Sequence, residues 1–174
     1  MRIAVLPERC VGCRVCELVC SESREKEFRP SKACIQVLAF NESVRDIPIV
    51  CQQCPDAPCL KACPSEALSR DKKTNAVVVN PELCIQCLSC IKACIVGNGT
   101  LKEDEKIVIK FDEDRQIPLK CNLCLGDPQC VKFCPTQALI LSEDSLGPEE
   151  IGVSDMTQAI KSSLRQEDLP RKKE

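Results

Sequence analysis

Four short windows of this chain hold sixteen of its seventeen cysteines, and that crowding limits the possible folds more than any other feature. The groups are Cys10, Cys13, Cys16, Cys20; Cys51, Cys54, Cys59, Cys63; Cys84, Cys87, Cys90, Cys94; and Cys121, Cys124, Cys130, Cys134. Only Cys34 stands outside them. The first and third groups share the spacing C-x2-C-x2-C-x3-C. The second and fourth are loosened by turn formers, PDAP at 55–58 and LGDP at 125–128, and each is followed by proline, Pro64 and Pro135. The order along the chain is tight, loose, tight, loose.

Something other than apolar packing must hold such a chain together. It has four Phe and no Tyr or Trp, so the large aromatic anchors of an ordinary core are nearly absent. Its 44% hydrophobic fraction looks ordinary only because the cysteines are counted in it. Small scaffolds short of core use disulfides or metal. The first residues, MRIAVLPERC, do not read as a secretory signal, and no apolar run approaches the roughly 18 residues that span a bilayer. A cytoplasmic, reducing setting is therefore expected, where dense cysteine points to metal. The odd cysteine count also argues against a pure disulfide framework. Histidine is absent, which excludes His-held haem, Cys/His zinc fingers, Rieske centres and Ser-His-Asp triads. A net charge of −2 indicates no general attraction to nucleic acid. No G-x-G-x-x-G or Walker A run is present, so nucleotide binding has no support.

The tight spacing matches the bacterial ferredoxin run that binds [4Fe–4S] clusters. Three thiolates two residues apart can curl around one cubane, with loop N–H groups turned toward the sulfides. The fourth, three residues on, is expected to begin a helix, point away and ligate a second cluster. Structural zinc fits less well, because it takes two cysteine pairs separated by a long loop.

The connector between the second and third groups predicts a short helical piece, Ser65 to Leu68. A polar turn (Asp71 to Asn75), a β-branched run (Ala76 to Val79) and Asn80-Pro81 follow. That layout suits the two halves of one small ferredoxin, with the first and fourth groups closing around it. The outer connectors hold strand-like material, CIQVLAF at 34–40 and KIVIKF at 106–111. Sequential pairing, one with two and three with four, is the open rival.

The expected fold is α+β with few short strands and helices, built as two nested two-cluster units. Residues 1–50 and 95–141 would form the outer unit and 51–94 the inner one. Residues 142–174 would be a polar extension with a disordered end. Its short helix would be capped by Ser154, with Met156, Ile160 and Leu164 on one face.

The group order, the CPSEAL and CPTQAL segments and the QQCPDAPC run resemble the four-cluster ferredoxin-like electron-transfer subunits of large oxidoreductases. That family includes small iron–sulfur subunits of molybdenum and tungsten enzymes. It also serves formate hydrogenlyase, carbon monoxide-linked hydrogenase and dimethyl sulfoxide reductase complexes. The likeness covers residues 1–141. It implies four [4Fe–4S] clusters in a nested arrangement. One would be held by Cys10, Cys13, Cys16 and Cys134, and another by Cys121, Cys124, Cys130 and Cys20. The third would take Cys51, Cys54, Cys59 and Cys94, and the fourth Cys84, Cys87, Cys90 and Cys63. Two departures keep every ligand: the third group runs on as CIVGNGTL, and Ser21 stands where proline would follow the first.

The implied function is a non-catalytic relay of single electrons between a large catalytic subunit (molybdenum, tungsten or nickel–iron) and a second redox protein. A free soluble polyferredoxin is the alternative. With sixteen thiolates committed, every iron is closed to substrate. Each oxidised cluster with its thiolates carries about −2, which takes the chain toward about −10 and favours low potentials. Lys61, Lys92 and Lys132, each two residues before a fourth cysteine, read as solvated helix positions. Cys34 reads as a small core residue, and Gly12 as suited to a tight loop.

Overall fold

The computed structural model describes residues 1–40, 45–96 and 108–143. The expected helix at Ser154 and the polar tail from residue 144 on lie outside the described residues, as does the first part of the 106–111 run. Strands are β1 (Arg2–Val5), β2 (Ile35–Phe40), β3 (Arg45–Val50), β4 (Leu68–Arg70), β5 (Val77–Val79), β6 (Lys110–Asp112), β7 (Ile117–Leu119) and β8 (Leu139–Ser142). Helices are α1 (Val15–Glu25), α2 (Pro58–Lys61), α3 (Ser89–Lys92) and α4 (Gln129–Lys132). The strands make four two-stranded antiparallel sheets, β1 with β8, β2 with β3, β4 with β5 and β6 with β7. The mixed α and β content agrees with the sequence reading.

Local chemistry explains these elements. In β2, Ile35 and Val37 are buried while Gln36 and Leu38 are only half-buried, the period-two pattern of a strand with one face in the core. Two hairpins close on the same device. Asp71 Oδ1 accepts from the N–H groups of Lys73 (3.1 Å) and Thr74 (2.7 Å) before β5. Asp112 Oδ1 accepts from those of Asp114 (3.0 Å) and Arg115 (3.2 Å) before β7. Both are aspartate turns of the kind that mimic a backbone turn.

The helical piece expected at Ser65–Leu68 is a turn running into β4. Glu66 takes a left-handed φ of 54°, which no helix continues through, and the short helix lies earlier, at α2. The expected run Ala76–Val79 forms β5 from Val77, and CIQVLAF forms β2 from Ile35. Ser142, assigned by sequence to the extension, is the last residue of β8.

The Ser21 departure has a visible effect. With no proline after Cys20, α1 is free to run to Glu25, whereas α2 and α4 end shortly before Cys63-Pro64 and Cys134-Pro135. Helix α3 ends at Lys92 with no proline after Cys94, so the missing proline permits the longer helix without dictating it. Ser21 is fully buried; its hydroxyl donates to the Leu18 carbonyl at 2.9 Å and accepts from the Arg29 N–H at 3.0 Å. The apolar core is aliphatic (Ile3, Ile35, Ile47, Ile49, Ile109, Leu119 and Leu123) and continuous with the buried thiols of Cys16, Cys20, Cys51, Cys59, Cys90, Cys121 and Cys130. Strand β1 closes on β8 through Ile3 opposite Leu141, and the Leu6 N–H extends the pair to the Ala138 carbonyl at 2.8 Å. Helix α1 packs on α4, and α2 on α3.

Candidate functional site

All four cysteine loops fold by one backbone rule. The residue just before each second cysteine is left-handed: Gly12 (φ 66°), Gln53 (52°), Gln86 (60°) and Leu123 (55°). A second left-handed residue precedes three of the helices: Arg14 at α1, Ala57 at α2 and Leu88 at α3. Alternating right- and left-handed residues turn successive N–H groups to one side, a concavity suited to an anion. Those N–H groups reach the sulfurs. Gly12 donates to Cys10, Leu123 to Cys121, and Ala138 to Cys134 at 3.2 Å.

The helices start earlier than the sequence suggested. The third cysteine of each group, Cys16, Cys59, Cys90 or Cys130, lies in the first turn, and the fourth lies beyond it, at the helix end or one turn on. The left-handed residue before each of α1, α2 and α3 is what lets the helix begin there.

The thiols act on one another across the groups. Burial pushes the Cys10 thiol up, and Asp46, Cys13 and Cys134 add to the rise. Burial also raises Cys130, followed by the charges of Cys121, Cys20, Cys124 and Cys16. Cys54 is pushed up to about 12 by burial, then by Cys51 and Cys94. Cys90 rises to about 11 through burial, then Cys59, with Cys63 and Cys84 contributing. Cys16 and Cys121 are each pushed to about 12, again chiefly by burial. For Cys10, Cys130, Cys54 and Cys90, one of the charges acting on the thiol comes from the fourth cysteine of another group: Cys134, Cys20, Cys94 and Cys63 respectively. Cys13 and Cys87 are exposed, and among the described residues no cysteine is in a disulfide.

The donor set fits iron–sulfur clusters. Thiols held this high stay protonated alone, and a metal that takes thiolates releases their protons. Among the described residues, no three of Cys, Asp, Glu or His close around a single ion. A lone tetrahedral metal would need its sulfurs about 3.8 Å apart, from bonds of about 2.3 Å. A cubane carries its thiolates on separate corners, further apart.

Sequence reasoning missed several contacts to these thiols. Cys34 is buried as expected, but it also serves Cys20: its N–H donates to the Cys20 sulfur at 3.3 Å. A hydrogen bond from the Cys34 thiol leads the causes that hold the Cys20 thiol down to about 7, and the Cys34 N–H, Arg24 and Lys110 assist. Lys120, only 4% exposed, donates to the Cys51 sulfur at 3.0 Å and to Gln53 Oε1 at 3.5 Å. Burial alone would lower the Lys120 pKa; the Cys51 and Cys59 sulfurs outweigh it and hold the ammonium above its ordinary value. Gln53 also accepts from the Val77 N–H at 2.9 Å and donates to the Cys121 carbonyl at 2.8 Å. Lys61 and Lys132 are exposed, and Lys132 bonds Asp127 at 3.2 Å. Lys92 is exposed too, yet its charge is among the influences that lower the Cys87 thiol, after hydrogen bonds from Ser89. No helix among the described residues is long and apolar enough to cross a membrane.

Residues 43–144 match the family described as 4Fe-4S dicluster domain. The chain is 40% identical over 132 residues to the aliphatic sulfonate oxidoreductase, polyferredoxin-like subunit of Pyrococcus furiosus, covering 76% of this chain and 70% of that one. It is 31% identical over 163 residues to formate hydrogenlyase subunit 2 of Escherichia coli, with 78% of each chain covered. Electron transport protein HydN of the same organism is 33% identical over 147 residues, covering 76% of this chain and 82% of that one. The resemblance carried by the cysteine groups thus holds over the greater part of the chain, which is a ferredoxin-like member of the 4Fe-4S dicluster domain family.

Proposed function

We propose that this chain is the cytoplasmic electron-transfer subunit of an oxidoreductase complex and holds four [4Fe–4S] clusters in a row. When bound, the clusters supply one-electron oxidation and reduction. The ligand sets are Cys10, Cys13, Cys16 with Cys134; Cys121, Cys124, Cys130 with Cys20; Cys51, Cys54, Cys59 with Cys94; and Cys84, Cys87, Cys90 with Cys63. The observation that carries this reading is that thiols of different groups act on one another's charge, Cys134 on Cys10, Cys20 on Cys130, Cys94 on Cys54 and Cys63 on Cys90. An exchange of fourth cysteines accounts for all four.

Electrostatic influences between sets support their order. Cys16 acts on Cys130, Cys51 on Cys121, and Cys59 on Cys90. The row therefore begins with the Cys10 set and ends with the Cys84 set. Each end set owns an exposed thiol, Cys13 at one and Cys87 at the other. Those are the two places where redox partners reach the row. The chain's own residues hold the ligands in register and screen the inner sulfurs from water. The relatives that carry subunit names support a large catalytic partner at one end, of the molybdenum, tungsten or nickel–iron kind, and a second redox protein at the other.

Anaerobic isolation from the native cells, with iron analysis and mass spectrometry of whatever co-elutes, tests this. About sixteen irons per chain and a stoichiometric larger subunit are expected. Elution alone with that iron content would overturn the subunit role and leave a free polyferredoxin carrier.

A further inference from the structure

Lysine is rarely buried unless it is paired. Lys120 is buried at the junction of the second and fourth cysteine groups. Its backbone leads directly into Cys121, and its ammonium crosses to the Cys51 sulfur at 3.0 Å. Both ends of the residue are fixed. Its carbonyl accepts from Arg24 Nη1 at 3.2 Å. Its ammonium rests on Gln53 Oε1, and the Gln53 amide is oriented by the Val77 N–H on one side and the Cys121 carbonyl on the other.

The placement matters because the two groups it joins belong to different halves of the chain. In the order argued above, the Cys121 and Cys51 sets are the two central positions of the row, and passage between them is the one step that crosses from the outer unit to the inner one. Two anionic sets side by side repel an added electron, and burial strengthens that repulsion. A single fixed cation between them acts on both. Hydrogen bonds and charge near the sulfurs are the established means by which a protein sets cluster potential.

We propose that Lys120 is a positioning residue that raises the potentials of the two central clusters together, making the crossing between the two halves level rather than uphill. Lys120 touches one ligand directly and adjoins another in sequence, so its charge serves the pair and leaves the end clusters alone. Gln53 keeps the ammonium centred. This inference rests on the four-cluster reading.

The test is a redox titration of the anaerobically purified full chain, followed by electron paramagnetic resonance, with iron counted in the same samples. The wild-type chain should hold about sixteen irons and give four one-electron transitions. Fewer than four in the wild type would overturn the four-cluster reading itself. In Lys120→Gln with iron unchanged, two of the four transitions should fall. The reduced-to-oxidised ratio at a fixed potential should drop at least tenfold, about 59 mV for one electron. Four unmoved transitions, or all four moving together, would overturn the role of Lys120. If Lys120→Gln loses iron, Lys120→Arg takes its place, since it keeps the charge. Central transitions within about threefold of the wild-type ratio support the inference, and a tenfold drop overturns it.

Discussion

Cys34 donates its backbone N–H to the Cys20 sulfur across 3.3 Å, and the two thiols are hydrogen-bonded as well. The seventeenth cysteine is therefore the neighbour of a proposed ligand. In Cys34→Ala the N–H bond survives and the thiol bond is lost. Iron should stay at about sixteen per chain, and the cluster bound through Cys20 should titrate at a lower potential. A loss of about four irons would instead make Cys34 a ligand.

Nested and sequential pairing predict opposite outcomes for two double variants. Under the nested arrangement Cys20 and Cys121 serve one cluster, so Cys20→Ala with Cys121→Ala should remove about four irons. Cys20→Ala with Cys51→Ala should remove about eight, because two clusters are struck. Sequential pairing reverses the two numbers, and iron analysis after anaerobic purification decides between them.

Glu17 is buried in α1, and its Oε1 accepts the Val37 N–H of β2 at 2.6 Å. Arg14 stands 3.5 Å away as its ion-pair partner. Removing the carboxylate in Glu17→Ala leaves the Val37 donor buried without an acceptor, at a cost of about 1–3 kcal/mol. Glu17→Gln retains an acceptor and should cost less. Anaerobic urea titration of the two variants measures the difference; equal losses would refute the assignment of the cost to the Val37 bond.

Lys32 pairs with Asp112, the carboxylate that caps the β6–β7 turn. Burial pushes the Asp112 pKa up, but the Lys32 bond and the Arg115 and Asp114 N–H groups outweigh it and hold it below the usual 3.8. Lys32 is correspondingly raised above 10.5, first by Asp112 and then by Asp114. The Asp112 contribution is thus fully present above the unfolded carboxylate value and fades as pH falls through the lower folded one. The Lys32 contribution is fully present below 10.5 and fades as pH rises through its higher folded value. The stability gap between wild type and Asp112→Asn should stay flat from about pH 5 to 9 and narrow only outside that range, in stronger acid as Asp112 protonates and in stronger alkali as Lys32 deprotonates. A gap that varies across neutral pH would be inconsistent with this pairing.

Iron removal should loosen the loops first. Left-handed residues such as Gln53, Gln86 and Leu123 each carry roughly 1–2 kcal/mol of backbone strain. Anion binding at their N–H groups offsets that strain. After anaerobic chelation, amide exchange should quicken through all four cysteine loops, and the Leu6 N–H on the Ala138 carbonyl should lose protection. Unchanged protection in the iron-free chain would contradict the dependence of the loops on their clusters.

The cysteine spacing and the run of β2 could be read directly, because both depend on residues close in sequence. The loop conformation could not. Of the four equivalent left-handed positions only Gly12 is glycine; Gln53, Gln86 and Leu123 carry no local sign of it. At Gly12 a Cβ would also fall 2.1 Å from Asp46 Oδ2, a neighbour set by β3. Lys120 was equally hidden, since the sulfur that explains its burial is 69 residues away. The helix expected after Cys63 failed for a local reason, the left-handed Glu66 that swings the chain into β4.

The pairing of β1 with β8 also fixes an order of manufacture. A ribosome releases Arg2–Val5 first, and Leu139–Ser142 last among the described strands. At ordinary synthesis speeds the interval is on the order of ten seconds. Under the nested pairing proposed above, Cys10, Cys13 and Cys16 would wait throughout it without Cys134, while the inner groups emerge within a few seconds of each other. The proposed inner half could then be loaded with iron before β8 exists, whereas the outer half could be completed only after Cys134 has emerged.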